Sequence, residues 1–369
     1  MDFELIIIGT SASSYALANS CFIRYHKKAY ILGNENLSIK YQEFNYEYYP
    51  NLDINFVNIL KEYSAKFSNK YLILVSPENK YIKLIINNEK VLKKYYLFNY
   101  CDKHIYEKLA DITSLNELLK EYNISFPHVY VQKLDNKINS KNIMNLGFPL
   151  IITDEDNNFI GNISNKDELK EIIKKQKLYN KTQIIVKKVD NSVENLYYST
   201  LMYSSNYKKT EFSTMSCAEL YQNNTYKVLI NGYNIDNKLK SELKKVRNML
   251  DNIGYSGLLE LIWQYNKKDN RYILIDINLD IPLSSYMLIN CGYNIIERLV
   301  ENLMYHKYYN FEYINYEICQ SLITKRLLFK NLKNEEYKKE INKLIKMNKF
   351  VFLNLNVGGK HENRNRIRS

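Results

Sequence analysis

The sequence predicts an α/β protein with a parallel-sheet unit at its start and mixed α+β lobes behind it. Three observations carry this. β-Branched runs alternate with helical patterns up to about residue 100. Short strands and amphipathic helices keep alternating after that point. Finally, two apolar runs, Gly257 to Tyr265 and Tyr272 to Asp280, flank the turn formers Asn266 to Asn270 and read as a β-hairpin.

The first unit opens with Phe3 to Ile8, a β-branched run ending at Gly9. Thr10 to Ser14 is a small-residue turn, and Tyr15 to Tyr25 follows at helical spacing. Strand, small-residue turn and helix make the opening of a Rossmann-like unit. Small residues there let the backbone approach a partner, and the helix N-terminus favours an anion. With one glycine rather than GxGxxG, a dinucleotide fingerprint is absent, so a structural role is favoured. Lys28 to Gly33 and Tyr71 to Val75 are further strands; residues 55–67 and 78–94 are helical. Such alternation implies a parallel sheet covered on both faces.

Residues 114–122 form another helix. Gly147 to Thr153 is a strand opened by Pro149, Asp154 to Asn162 a short turn, and Lys166 to Lys177 an amphipathic helix. Gln183 to Val189 is a strand, and residues 196–203 and 226–230 add β structure. Lys238 to Ile253 is a charged helix that turns directly into the hairpin. Asn294 to Tyr305 is helical, and Ile318 to Leu344 mostly so. The expected division is residues 1–100, 101–310 and a helical C-terminal segment 311–369 with a basic tail.

Composition narrows the function classes. The 369 residues are 46% hydrophobic and 25% charged, a globular profile. No run reaches the roughly 18–20 apolar residues that span a bilayer, and the start lacks a basic leader, so a cytoplasmic protein with no membrane partner is expected. Five isolated cysteines fit buried free thiols, and five scattered histidines argue against zinc. Net charge is +12. Lysine is spread along the chain with Asn, Ile and 35 Tyr, the set that A/T-rich codons favour, so nucleic acid is disfavoured as a partner.

The hairpin carries the chemistry. Asp276 and Asn278 lie two apart and share one strand face, and a plausible register adds Glu260 from the neighbouring strand. Two carboxylates and an amide suit a hard cation such as Mg²⁺. An edge hairpin with its polar face in water is the alternative.

The ordered set of parts resembles the ATP-grasp superfamily, within it the D-aspartate-ligase-like carboxylate–amine ligases. The strongest segment is residues 253–294: Ile253 to Gly257, the hairpin with Asp276 and Asn278, Ser284 to Tyr286, and Cys291 to Asn294. The resemblance implies a Rossmann-like domain followed by a two-lobed ATP-grasp-like domain. It also implies ATP and Mg²⁺ as cofactors. A small-molecule carboxylate is phosphorylated by ATP, and an amine attacks the acyl phosphate to give an amide. The family pattern asks for two phosphate-binding lysines, acids and an Asn for Mg²⁺, and often an Arg after them.

Here the lysine positions hold Thr153 and Ile112, the metal acids are Asp276 and the apolar Ile262, and Asp280 replaces the Arg. Glu260 is two residues from Ile262, on the same face. Lys187 and Lys188 stand where an acid normally holds the nucleotide. Arg298 is a weaker candidate substrate anchor. Three readings stay open. One is a diverged protein with weak or lost catalysis, acting through binding or a protein partner. Another is a working ligase that uses Glu260, Asp276 and Asn278 for metal, with Lys187, Lys188 or Thr153 contacting nucleotide. The third is a nucleic-acid-associated protein.

Overall fold

The computed structural model describes residues 2–35, 44–67, 69–127, 129–134, 140–154, 159–178, 181–188, 196–220, 227–232, 234–315, 319–321, 335–347 and 350–352. The basic tail and acids Glu155 and Asp156 lie outside them.

The N-terminal unit runs β1 (Phe3–Ile8), α1 (Ala12–Tyr25), β2 (Tyr30–Gly33), β3 (Asn45–Tyr48), α2 (Phe56–Ser64), β4 (Tyr71–Val75), α3 (Asn79–Asn87) and α4 (Glu89–Leu92). Its four strands pair in parallel in the order β3-β2-β1-β4. Every side chain of β1 is buried, as a central strand with both faces covered requires. Leu5 and Ile7 pack towards Leu17 of α1, while Ile6 and Ile8 pack towards Leu60 of α2 and Ile85 of α3.

Two helices follow, α5 (Lys103–Ala110) and α6 (Ile112–Glu121). Asp111 caps α6 by accepting the Ser114 N–H at 2.8 Å. A small lobe comes next: β5 (Val129–Lys133), α7 (Ser140–Asn145), β6 (Leu150–Asp154), β7 (Phe159–Ile163), α8 (Lys166–Leu178) and β8 (Gln183–Lys188). The sheet is antiparallel, in the order β5-β8-β6-β7. The expected turn at 154–162 yields in part to β7, which folds back on β6 from Phe159. One face of this sheet buries Leu150, Ile152, Ile184 and Val186 against Leu169 and Ile173 of α8.

The large sheet is formed by β9 (Leu196–Ser204), β10 (Thr210–Ser213), β11 (Ser216–Leu220), β12 (Lys227–Gly232), β13 (Gly257–Asn266) and β14 (Arg271–Asn278), with α9 (Asn237–Ile253) between β12 and β13. A 3-10 helix, Leu283–Cys291, leads to α10 (Ile295–Tyr305), then β15 (Glu312–Tyr313), β16 (Cys319–Ser321), α11 (Glu335–Lys346) and β17 (Phe350–Phe352). The main path is β14-β13-β9-β11-β12-β16-β17. The mostly helical pattern expected over 318–344 holds for α11 and gives way to strand at 319–321.

α9 begins where Asp236 accepts the Leu239 N–H at 2.8 Å and ends at Gly254 in the left-handed region. Its apolar stripe, Leu239, Leu243, Val246 and Leu250, packs on Leu259, Leu261 and Trp263 of β13. That face of the hairpin is therefore core. The opposite face carries Glu260, Asp276 and Asn278.

Candidate functional site

The register of the large sheet assembles the polar face. Glu260 stands opposite Asn278 on one side and Leu201 on the other; Ile262 stands opposite Asp276 and Ser199. Glu260, Asp276 and Asn278 thus share a face, as the alternation predicts. The pairing also explains what each side chain does. Asn278 Nδ2 donates to Glu260 Oε2 at 3.0 Å, and the Ser199 hydroxyl donates to Glu260 Oε1. Both oxygens of this buried carboxylate are engaged. Asp276 Oδ1 accepts the Ile277 N–H at 3.0 Å. Ser199 was not visible as a site residue in the sequence, because only the β9–β13 register brings it to Glu260.

The small lobe supplies a cation. In the β6–β8 register Thr153 stands opposite Ile185 and Ile151 opposite Lys187. Thr153 and Lys187 therefore share one face, and Lys188 belongs to the other. Lys187 is 3% exposed, and its Nζ lies 3.5 Å from Asp276 Oδ1. This ion pair joins the small sheet to the hairpin. Lys188 instead donates to the Phe148 carbonyl at 2.5 Å, away from the other candidates. Thr153 is buried, and its hydroxyl has no hydrogen-bond partner among the described residues. Beside it, Asp154 is paired with Lys181 at 2.8 Å.

Ile112 is buried in the first turn of α6 as an ordinary core residue. Arg298 is packed over the Tyr309 ring at 3.5 Å and reaches Glu312 at 3.6 Å, so it belongs to a packed aromatic cluster. Asp280 lies near enough to Tyr106 to help hold its phenol proton. Burial is the main cause, Cys101 adds to it, and the phenol is pushed up to about 12.

The turn after β1 holds a residue that sequence reasoning missed. Glu78 Oε1 accepts the N–H groups of Thr10 at 2.7 Å and Ser11 at 3.0 Å. The anion favoured at the start of α1 is this internal carboxylate. Gly9 has φ +118°, and a Cβ there would lie 2.3 Å from Glu78 Oε1, so the close approach needs glycine. One signal was available: Glu78 follows Ser76 and Pro77 at the carboxyl end of a parallel strand, where polar groups gather.

The donor set Glu260, Asp276 and Asn278 is all oxygen and fits a hard cation in kind. Ile262 occupies the position facing Asp276, where a further acid would add a ligand. Among the described residues, no group of three His, Cys, Asp or Glu side chains comes together to hold a metal ion.

No family model matches the chain. D-aspartate ligase of Enterococcus faecium (strain Aus0004) is similar to it, 20% identical over 387 residues that cover 95% of this chain and 89% of that protein. Among solved structures, N5-carboxyaminoimidazole synthetase from Staphylococcus aureus superposes with a TM-score of 0.65 at 15% identity, covering 93% of this chain and 88% of that one. The biotin carboxylase domain of the Hydrogenobacter thermophilus 2-oxoglutarate carboxylase, solved with MgADP and bicarbonate, gives 0.68 at 12% identity, with coverages of 86% and 74%. The L-amino acid ligase of Bacillus licheniformis gives 0.61 at 12% identity, with coverages of 82% and 74%.

The chain has the ATP-grasp fold. The resemblance drawn from residues 253–294 is borne out at that level. The Lys187–Asp276 pair joins the small sheet β5-β8-β6-β7 to the hairpin β13–β14. No helix among the described residues is long and apolar enough to cross a membrane.

Proposed function

We propose that the chain is a carboxylate–amine ligase-like ATP-grasp protein that keeps a nucleotide cleft and has a weakened ligase step. In the parent reaction a carboxylate oxygen attacks the γ-phosphorus of ATP and ADP leaves. The amine nitrogen then attacks the acyl carbon, phosphate leaves, and the nitrogen gives up a proton. Such transfer depends on positioning and charge neutralisation.

The observation that carries the reading is the contact between Lys187 and Asp276 across the cleft. Thr153 and Lys187 are diagonal neighbours on one face, with Cβ atoms about 7–8 Å apart, within the reach of a lysine side chain. Lys187 can therefore bring its ammonium to the region that a lysine at 153 would serve. One cation then acts where the family pattern uses two, because Ile112 offers none. Glu260, Asp276 and Asn278 would hold Mg²⁺, which would supply further neutralisation of the phosphates. The deficits at 112, 153 and 262 support a slow reaction, since loss of one strong electrostatic stabiliser costs about 10²–10³ in rate.

The test is ADP release with Mg²⁺, ATP and a panel of amino and hydroxy acids, run beside the Enterococcus D-aspartate ligase. The expected result is nucleotide binding with turnover at least about a hundred-fold slower. Absence of nucleotide binding overturns the reading. Full-rate turnover lost in Asp276→Ala favours a second one, an ordinary ligase with relocated residues, for which the cleft-facing Lys187 speaks.

A further inference from the structure

The Glu260 carboxylate is held from both sides. β13 lies between β14 and β9 in the large sheet. From β14, Asn278 stands directly opposite Glu260 and donates its Nδ2 to Oε2 at 3.0 Å. From β9, Ser199 stands opposite Ile262, the next residue on the same face, and donates its hydroxyl to Oε1. Glu260 is 7% exposed.

Its two neighbours on the polar face are more open. The Asp276 side chain is a quarter exposed, and Asn278 is half-buried. A carboxylate oxygen can only accept, so the Asn278 amide must turn its nitrogen to Glu260. Nitrogen and oxygen diverge from one carbon, and Oδ1 is therefore turned away from Glu260. Among the described residues nothing donates to that oxygen, and it is not sealed from solvent.

An amide holds a metal ion only through its oxygen, because its N–H end repels a cation. An unguided amide can turn either end, so a partner that fixes the nitrogen selects the ligating orientation. If Glu260 itself moved to the ion, the Ser199 hydroxyl and the Asn278 N–H would both lose their acceptor, the costly state for buried donors. That movement would also free the amide to turn. We propose that Glu260 is a positioning residue: with Ser199 on its other oxygen, it fixes the Asn278 amide with Oδ1 presented to Mg²⁺, and Asp276 and Asn278 are the side chains that touch the metal. The proposal rests on the ligase reading and changes the part of Glu260 in it from ligand to support.

The test reads metal binding and the amide separately, and neither readout is turnover. In the full chain with ATP, Mn²⁺ is titrated and the free ion followed by electron paramagnetic resonance. The proteins are the native chain, Glu260→Gln, and two variants without an acceptor, Glu260→Leu and Glu260→Ala. All three variants lack the charge, and only glutamine can still accept from Asn278. Glu260→Gln is expected to bind Mn²⁺ at least about tenfold more tightly than the other two. In the Asn278→Asp background, whose carboxylate has no end to choose, that difference is expected to vanish. Without metal or nucleotide, the Asn278 side-chain N–H signals are assigned by their loss in Asn278→Asp. They are expected to exchange slowly in the native chain and in Glu260→Gln, and fast in the variants without an acceptor. Equal Mn²⁺ affinity in all three variants overturns the proposal, as does fast exchange in the native chain. So does an advantage of glutamine that persists in the Asn278→Asp background, which would mean that residue 260 touches the ion itself. No saturable Mn²⁺ binding by the native chain overturns the ligase reading and the proposal together, and is told apart from those results by the native titration alone.

Discussion

At the residue scale, the behaviour of Asp276 depends on Lys187. Removing the carboxylate leaves an almost fully buried ammonium without its partner, which is the costly half of a buried ion pair. Asp276 is itself a quarter exposed, so the penalty falls below that of a fully buried pair. Asp276→Ala is expected to lower stability by about 2 kcal/mol in urea unfolding, and Lys187→Met in the same background to recover most of it. A second residue-scale test concerns Glu211, which is 1% exposed and bonded to Asn302 at 3.1 Å. Burial raises its pKa above the usual 4.5, against the opposing hydrogen bond from Asn302. The folded state therefore holds the proton more tightly than the unfolded chain does. This contribution is fully present below pH 4.5 and is lost as pH rises through the raised value. Glu211→Gln is expected to flatten that loss, measured as unfolding free energy between pH 4 and pH 8.

At the element scale, the turn after β1 and the hairpin show what sequence can and cannot reveal. The hairpin was legible because Asn266 to Asn270 are turn formers between two long apolar runs, and because Glu260, Asp276 and Asn278 interrupt those runs at even spacing. α9 was legible from its charged stripe and the glycine that ends it. Strands β10 and β11 were missed because each is only four or five residues long and takes its identity from β9 and its other partners. Strand β7 was hidden by the acids and asparagines before it, which read as one turn. The site was legible only as a set of residues. Which of them meet depends on register: Lys187 reaches Asp276 and Lys188 does not because β8 alternates against β6, and that pairing is non-local. Glu78 was hidden for the same reason, being 68 residues from Thr10. The turn itself makes a sharp prediction. Gly9→Ala forces a side chain into a positive-φ position and against the Glu78 carboxylate. Its cost is expected to be about 3 kcal/mol, from strain plus displaced hydrogen bonds. Urea unfolding measures it, and Glu78→Ala in the Gly9→Ala background is expected to return only the part due to the clash.

At the scale of the whole molecule, one ammonium of the small sheet, Lys187, meets the hairpin of the large sheet, which carries Glu260, Asp276 and Asn278 on one face. Its charges are partly neutralised within the protein: Glu260 by Asn278 and Ser199 hydrogen bonds, Asp276 by Lys187. On the proposed reading, Mg-nucleotide would exchange for that internal pair, and Asp276 would be the residue to hold the metal and Lys187 the one to meet phosphate. The most direct measurement is calorimetric titration of Mg-ATP into the native chain and into Lys187→Ala. Saturable binding by the native chain and at least tenfold weaker binding by the variant are expected. Equal affinity in the two proteins, or no binding by the native chain, would contradict it.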